Sequence, residues 1–278
     1  MRRSAVAGMF YPSSSMELRE IIESAIRGIK YDLNAYGVVV PHAGYVFCSK
    51  VAAHAYKALR NFETAVIIGP NHYGVGASPA LSAVDWMTPL GVAKVDKEFV
   101  ETLSKDYLVD ETAHRMEHSV EVQIPWLQVL FKDFKFVPIT INPVDFKKDT
   151  CRALGFKIAD VAKQLGRKIV VIASSDFTHH GPQYNYTPFG SKPSQILKKM
   201  EEVDLAIAKE VSEIMPEKVI EDVQTKDLTI CGYGCISSML WAVRELGAKS
   251  GKILSYSTSF EVSRSADAIV GYCSIAVY

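Results

Sequence analysis

His42, His72 and the pair His179/His180 share a context. Each follows a β-rich run and stands in a turn containing Pro, Gly or Asp: Pro41-His42-Ala43-Gly44, Gly69-Pro70-Asn71-His72, and Ser174-Ser175-Asp176-Phe177-Thr178-His179-His180-Gly181. Imidazole takes and gives protons near neutral pH and binds transition metals. In an open α/β sheet, ligands bind at the carboxyl ends of the strands, so residues far apart in sequence can meet there. One histidine after a strand is usually only solvated. Three such placements point to a shared site, because titratable groups cluster where chemistry is done.

Thr229-Ile230-Cys231-Gly232 places Cys231 at the opening of a helix. Helix N-termini carry partial positive charge and free N–H groups, both of which favour the thiolate that a metal ligand or a nucleophile must be. The plain alternative is a buried cysteine at a helix cap. The five cysteines, Cys48, Cys151, Cys231, Cys235 and Cys273, show no CxxC spacing. Neither a disulfide framework nor a closed zinc site is expected. Glu117-His118-Ser119-Val120-Glu121-Val122-Gln123 is a dense polar group ahead of a helix. Either Ser119 caps a solvated helix start, or the group is a polar pocket wall with His118 as acid, base or hydrogen-bond donor. His54, inside a helical pattern, and His114 are expected to stand apart from the site.

The elements that must position these residues are legible as alternating β-branched runs and helical patterns. Strands are predicted over Gly37–Val40, Thr64–Ile68, Phe136–Ile141, Lys168–Ala173, Lys252–Ser257 and Ala268–Val277. Helices are predicted over Ser49–Arg60, Val120–Phe131, Lys148–Leu165, Pro193–Val211 and Gly232–Leu246. The alternation implies a three-layer α/β/α fold with a mixed, largely parallel central sheet of about seven strands, formed as one domain over residues 1–278. Gln183–Pro193 is the longest irregular stretch. With Tyr184, Tyr186 and Phe189 it reads as a loop over the site.

Composition bounds the function. Hydrophobic residues make up 48% and charged residues 22%, and Lys plus Arg equals Asp plus Glu at 31 each. No bulk positive field draws nucleic acid or an acidic membrane. The apolar stretch after Arg2-Arg3 is too short for a signal peptide and is broken by Gly8 and Pro12. No run approaches the ~20 apolar residues that span a bilayer. A cytoplasmic protein is expected.

At its polar motifs the sequence resembles the Memo family. The motifs occur in order: Ala7-Gly8-Met9-Phe10-Tyr11-Pro12, Pro41-His42-Ala43-Gly44-Tyr45, Gly69-Pro70-Asn71-His72, Glu117-His118-Ser119-Val120-Glu121, Ser174-Ser175-Asp176-Phe177-Thr178-His179 and Thr229-Ile230-Cys231-Gly232. Each is weak alone, and their order over ~270 residues is specific. The resemblance implies a fold like that of class III extradiol dioxygenases, which use non-haem iron. It implies that His42, His72 and Cys231 match metal-site positions, with Asp176, His179, Glu117 and His118 beside them as catalytic candidates. His180 departs from eukaryotic members, which carry tryptophan there, and this touches the pocket rim. The family is associated with phosphotyrosine-peptide binding and metal-dependent redox chemistry in eukaryotes, and with a radical-SAM protein in prokaryotes.

Two imidazoles and a thiolate suit iron, copper or zinc, with iron or copper favoured, and do not suit magnesium or calcium. Three protein ligands leave positions open, as a catalytic site requires. Dioxygenases carry a carboxylate where Cys231 falls, so ring cleavage does not follow from fold. Three functions fit: a metal-dependent redox enzyme acting on a small molecule, a non-catalytic module that binds a peptide or protein, and metal-free catalysis with Cys231 as nucleophile.

Overall fold

The computed structural model describes residues 1–278. The chain opens with α1 (Ser15–Ala25), β1 (Gly37–Val40), α2 (Tyr45–Ala58) and β2 (Thr64–Pro70). Then come β3 (Ala80–Leu81), β4 (Trp86–Thr88), β5 (Gly91–Val95), α3 (Lys97–Leu103), β6 (Leu108–Val109) and α4 (Glu111–His114). The middle contains α5 (Ile124–Leu130), β7 (Lys135–Ile141), α6 (Lys148–Gln164), β8 (Ile169–Ser174) and β9 (His179–His180). The last part holds α7 (Pro193–Ser212), α8 (Pro216–Thr225), α9 (Tyr233–Glu245), β10 (Gly251–Thr258), α10 (Phe260–Ser263) and β11 (Ile269–Val277).

β1, β2 and β8 are unbroken apolar runs, buried at every position. Strands covered on both faces read this way. They stand side by side in the order β10-β11-β1-β8-β2-β7-β3-β6. β1, β8, β2 and β7 run parallel, while β11 pairs antiparallel with β1 and β10. Helices flank the sheet in two groups: α6, α8 and α9, with α9 against β1, β2 and β8; and α1, α2 and α5, with α2 against β1, β10 and β11. This is the expected mixed α/β/α arrangement. One cluster of 62 buried apolar residues runs through it. No helix is long and apolar enough to cross a membrane.

The sheet has eleven strands rather than about seven. The additions, β3, β4, β5, β6 and β9, are short ladders of two to five residues, too brief to show a period. α2 begins at Tyr45, four residues ahead of the predicted Ser49, with Gly44 at its N-cap. The helix predicted over Val120–Phe131 is a 3-10 turn at Glu121–Gln123 followed by α5. α1, α3, α4, α8 and α10 join the predicted helices.

Candidate functional site

Three parallel strands end at the site with the same offset. His42 stands two residues past Val40, His72 two past Pro70, and Asp176 two past Ser174. The backbone ties two of these ends together: the His42 N–H donates to Asp176 Oδ1 at 2.8 Å, and the Ser175 N–H to the Val40 carbonyl at 2.9 Å.

Cys231 reaches the same place from the turn before α9. Its Sγ lies 3.2 Å from His42 Nε2. Gly232 permits the approach, since a Cβ there would stand 2.6 Å from the Ser174 carbonyl oxygen, and its N–H donates to Ser175 Oγ at 3.0 Å. The helix itself starts at Tyr233, with Gly232 as its N-cap. Cys231 therefore stands just ahead of the N-cap, one residue farther from the helix than the predicted start at Gly232 placed it. Burial, with the nearby Asp176 charge, pushes the thiol well above its ordinary range.

His72 is held by Glu117. Glu117 Oε2 accepts the His72 backbone N–H at 2.6 Å, and Oε1 faces ring Nδ1 at 3.0 Å. Oε1 also accepts the N–H groups of His118 and Ser119, each at 2.8 Å. Burial alone would raise this carboxyl, but the hydrogen bond and charge of His72, the charge of His118 and the Ser119 N–H outweigh it and hold the group down at about 2. An ionised carboxylate only accepts, so His72 Nδ1 donates, and in the neutral ring Nε2 is the nitrogen that keeps its lone pair. Ser119 is buried and donates its hydroxyl to the Pro70 carbonyl at 2.8 Å. It does not cap a helix. Gly69 makes room for it, since a Cβ there would collide with the Ser119 side chain.

His179 faces the site from β9, and its Nδ1 lies 2.9 Å from the Thr229 carbonyl. A carbonyl also only accepts, so Nδ1 carries the proton and Nε2 is left free to take one. His118 stacks on His72 at 4.7 Å between centroids, and Phe10 packs against it at 4.5 Å. Burial and the His72 charge lower His118 to about 4, against the pull of Glu117. Burial, then the neighbouring histidine charges, holds His42 well below its ordinary value. Burial raises Asp176, opposed by the charge of His179 and the His42 N–H.

The ligand atoms of His42, His72 and Cys231 lie within 4.8 Å of one another, as do those of His72, Glu117 and His118. The two trios differ in what is left to bind with. Both Glu117 oxygens already accept N–H groups, so that carboxylate is committed to holding rings. Imidazole nitrogen and sulfur form a donor set suited to a borderline or soft transition metal, and the first trio fits one. Such an ion would displace the thiol proton on binding.

A cavity of about 520 Å³ opens over this cluster, lined by His42, His72, His118, Asp176 and His179, and by no lysine or arginine. Glu117 lies behind the rings and not on the wall. A larger groove of about 830 Å³ lies elsewhere, along Glu17, Arg27, Lys50 and His54. It contains neither trio. His54 pairs there with the Tyr31 hydroxyl at 2.6 Å, and His114 is buried with Nε2 toward the Ala80 carbonyl.

Of the three loop aromatics, only Tyr184 reaches the cavity, its ring edge-on to His179 at 5.1 Å. Tyr186 and Phe189 pack on His180 instead. Alternation along β9 explains this: His179 and His180 point to opposite sides. His180 is buried beneath Phe189 and has no place on the cavity rim. Ser174, Gln123, Thr229, Arg2 and Glu121 all hold site residues or their supports, and none of them stands out singly in the sequence. Their types are common and their partners distant in sequence. The one visible signal was the density of polar residues from Glu117 to Gln123.

A family model described as Memo-like protein matches residues 2–276. A MEMO1 family protein of Methanococcus vannielii is 41% identical over 298 residues, covering 100% of this chain and 99% of that protein. One from Pyrococcus abyssi is 40% identical over 291 residues, with 100% and 99% covered. One from Methanococcoides burtonii is 42% identical over 280 residues, with both chains covered completely.

Proposed function

This chain belongs to the Memo family, and we propose that it is a metal-dependent oxidoreductase acting on a small molecule, holding a transition metal through His42, His72 and Cys231. Iron and copper fit the proposal best, with zinc as a non-redox occupant. The observation that carries it is the 3.2 Å approach of Cys231 Sγ to His42 Nε2 beside His72, with every ligand atom of the three within 4.8 Å of the others.

A bound ion would supply a redox-active, Lewis-acidic centre at the floor of the cavity. The chain supplies proton handling and orientation. His179, its Nδ1–H committed to the Thr229 carbonyl, takes a proton from a ligand hydroxyl or amine at Nε2. Asp176 holds the His42 backbone. Phe10 covers one face of His118 and excludes water from it. With no lysine or arginine on its wall, the cavity favours ligands that arrive uncharged over strongly anionic ones.

The test is metal content. The protein is purified without added metal, anaerobically and aerobically, and bound ions are counted per chain. About one transition-metal ion per chain is expected, falling by an order of magnitude or more in His42→Ala and Cys231→Ser. Retention of metal by both variants would defeat the proposal.

A second reading, a peptide- or protein-binding module without turnover, draws support from Phe47 and Tyr184, which are 37% and 38% exposed while lining the cavity. The two readings separate in Phe47→Ala. Loss of partner capture in a protein that shows no metal-dependent oxygen consumption favours the module, and loss of metal-dependent oxygen consumption favours the enzyme.

A further inference from the structure

We propose that Ser174 and Gln123 are positioning residues that fix the tautomer of His42, so that its Nε2 lone pair faces Cys231. The use of that lone pair rests on the metal-binding reading; the tautomer itself does not.

The polarity begins at a carbonyl. Gln123 is buried, and its carboxamide nitrogen lies 3.0 Å from the Pro41 carbonyl oxygen and 2.8 Å from Ser174 Oγ. A carbonyl only accepts, so the nitrogen end of the amide must face Pro41; the flipped amide would set two oxygens against each other. The amide oxygen is then turned to the Tyr56 hydroxyl, which donates to it. Ser174 Oγ thus receives an N–H from Gln123.

The single hydroxyl hydrogen of Ser174 has its own destination. Ser174 Oγ is 2.6 Å from the Ser119 carbonyl oxygen, another group that only accepts. With its hydrogen spent there and one lone pair taken by Gln123, Ser174 has one lone pair left. That lone pair meets His42 Nδ1 at 3.0 Å. Nδ1 must therefore carry the ring proton. The opposite tautomer would hold two lone pairs face to face, with Ser174 fully buried and His42 2% exposed. A buried clash of that kind leaves a polar group unsatisfied, which disfavours the opposite tautomer.

Two carbonyls, Pro41 beside His42 and Ser119 beside His118, therefore set a one-way chain: Tyr56 to Gln123, Gln123 to Ser174, His42 to Ser174, and Ser174 to Ser119. Which ring nitrogen a histidine offers is decided by the hydrogen bond its other nitrogen makes. At His42 that decision belongs to Ser174, whose hydrogen is drawn to the Ser119 carbonyl and whose oxygen is held by the Gln123 N–H.

The first test uses the unaltered, metal-free protein labelled with nitrogen-15 in histidine. Long-range proton–nitrogen spectra report which ring nitrogen bears hydrogen, and the His42 signals are assigned by their loss in His42→Gln. The Nδ1–H form is expected; an Nε2–H form or an even mixture overturns the proposal with no further variant needed. Ser174→Ala is then expected to release His42 toward the Nε2–H form. It should also weaken cobalt(II) binding, read from sulfur-to-cobalt absorption, by about tenfold or more. Gln123→Met, which removes the N–H that holds Ser174 Oγ in place, should move the tautomer the same way to a smaller extent. An unchanged His42 tautomer in both variants overturns the role of Ser174 and Gln123. Failure of cobalt(II) to bind the unaltered protein removes the metal reading alone, because the tautomer result stands on metal-free protein.

Discussion

Glu117 grips His72 at two points, taking the backbone N–H with one oxygen at 2.6 Å and the ring Nδ1 with the other at 3.0 Å. Glutamine in its place offers one acceptor oxygen and turns an NH2 toward at least one N–H donor. Glu117→Gln is therefore expected to weaken cobalt(II) binding by about 10–100-fold. The unpaired donors should lower stability by about 1–3 kcal/mol. A cobalt titration and urea denaturation measure the two effects. Unchanged affinity would show that the grip does not orient a ligand.

Cys231 is expected to act as a ligand and not as a nucleophile. Because its thiol is raised by burial and the Asp176 charge, alkylation by iodoacetamide should be slow at neutral pH in the metal-free protein. It should be slower still with metal loaded, and should return to the metal-free rate after chelation. Equal rates with and without metal, together with a Cys231→Ser protein that binds metal undiminished, would advance the nucleophile reading.

Arg2 is 8% exposed and donates to Glu121 at 2.7 Å, to the Glu117 carbonyl at 2.7 Å and to the His114 carbonyl at 2.7 Å, with its guanidinium 4.0 Å above Trp86. Glu121 also accepts the N–H groups of Ala5 and Val6 and the Tyr11 hydroxyl. Arg2→Met strands a buried carboxylate and should cost about 3–5 kcal/mol. The double variant Arg2→Met/Glu121→Gln should cost less than the sum of the singles, because no charge is left unpaired. Urea denaturation of the four proteins decides this; strict additivity counts against the clasp.

Asp204 gives a pH dependence with a fixed sign. It is buried on α7 and accepts from Thr178 Oγ1 at 2.5 Å and from the Tyr256 hydroxyl at 2.8 Å. Burial lifts it to about 6 despite those bonds. The folded state thus holds a proton between about pH 4 and pH 6 that the unfolded chain, near 3.9, has lost. The Asp204 contribution to stability therefore falls as pH rises through that window, by about 2–3 kcal/mol in all. Subtracting the stability–pH profile of Asp204→Asn from that of the parent should isolate this slope. A flat difference would show that the carboxyl is not raised.

His42, His72 and Asp176 were legible because unbroken apolar runs mark parallel strands, and each residue follows such a run by two positions. Cys231 was legible by residue type and motif, and the helix that follows it starts one residue later than predicted. α1 had its signals in Ser14 with Glu17 and in Leu18 with Ile22, and α8 in Pro216 with Val219, Ile220 and Val223. Both helices are short enough for those signals to pass as loop. The roles of Ser174, Gln123 and Thr229 were not legible. A hydroxyl, an amide or a carbonyl acquires direction only from the groups around it, and here those groups come from the turn after β1, from α2, from the segment ahead of α5 and from the turn before α9. The two-residue ladders lie below any periodicity, and the opposite aims of His179 and His180 needed the β9 pairing with Val270 and Ile269.

The strand order also sets a clock on synthesis. β1 is bordered by β8 and β11, both of which leave the ribosome long after it. Cys231 lies 189 positions beyond His42, so at roughly 5–20 residues per second it emerges about 10–40 s later. Until β8 emerges Gly37–Val40 has two open edges, and until β11 follows it keeps one. An unpaired, wholly apolar strand is the kind of segment that recruits neighbouring chains. The layout that gathers the site from segments far apart in the chain leaves an apolar strand edge unpaired in the nascent polypeptide until β11 is released.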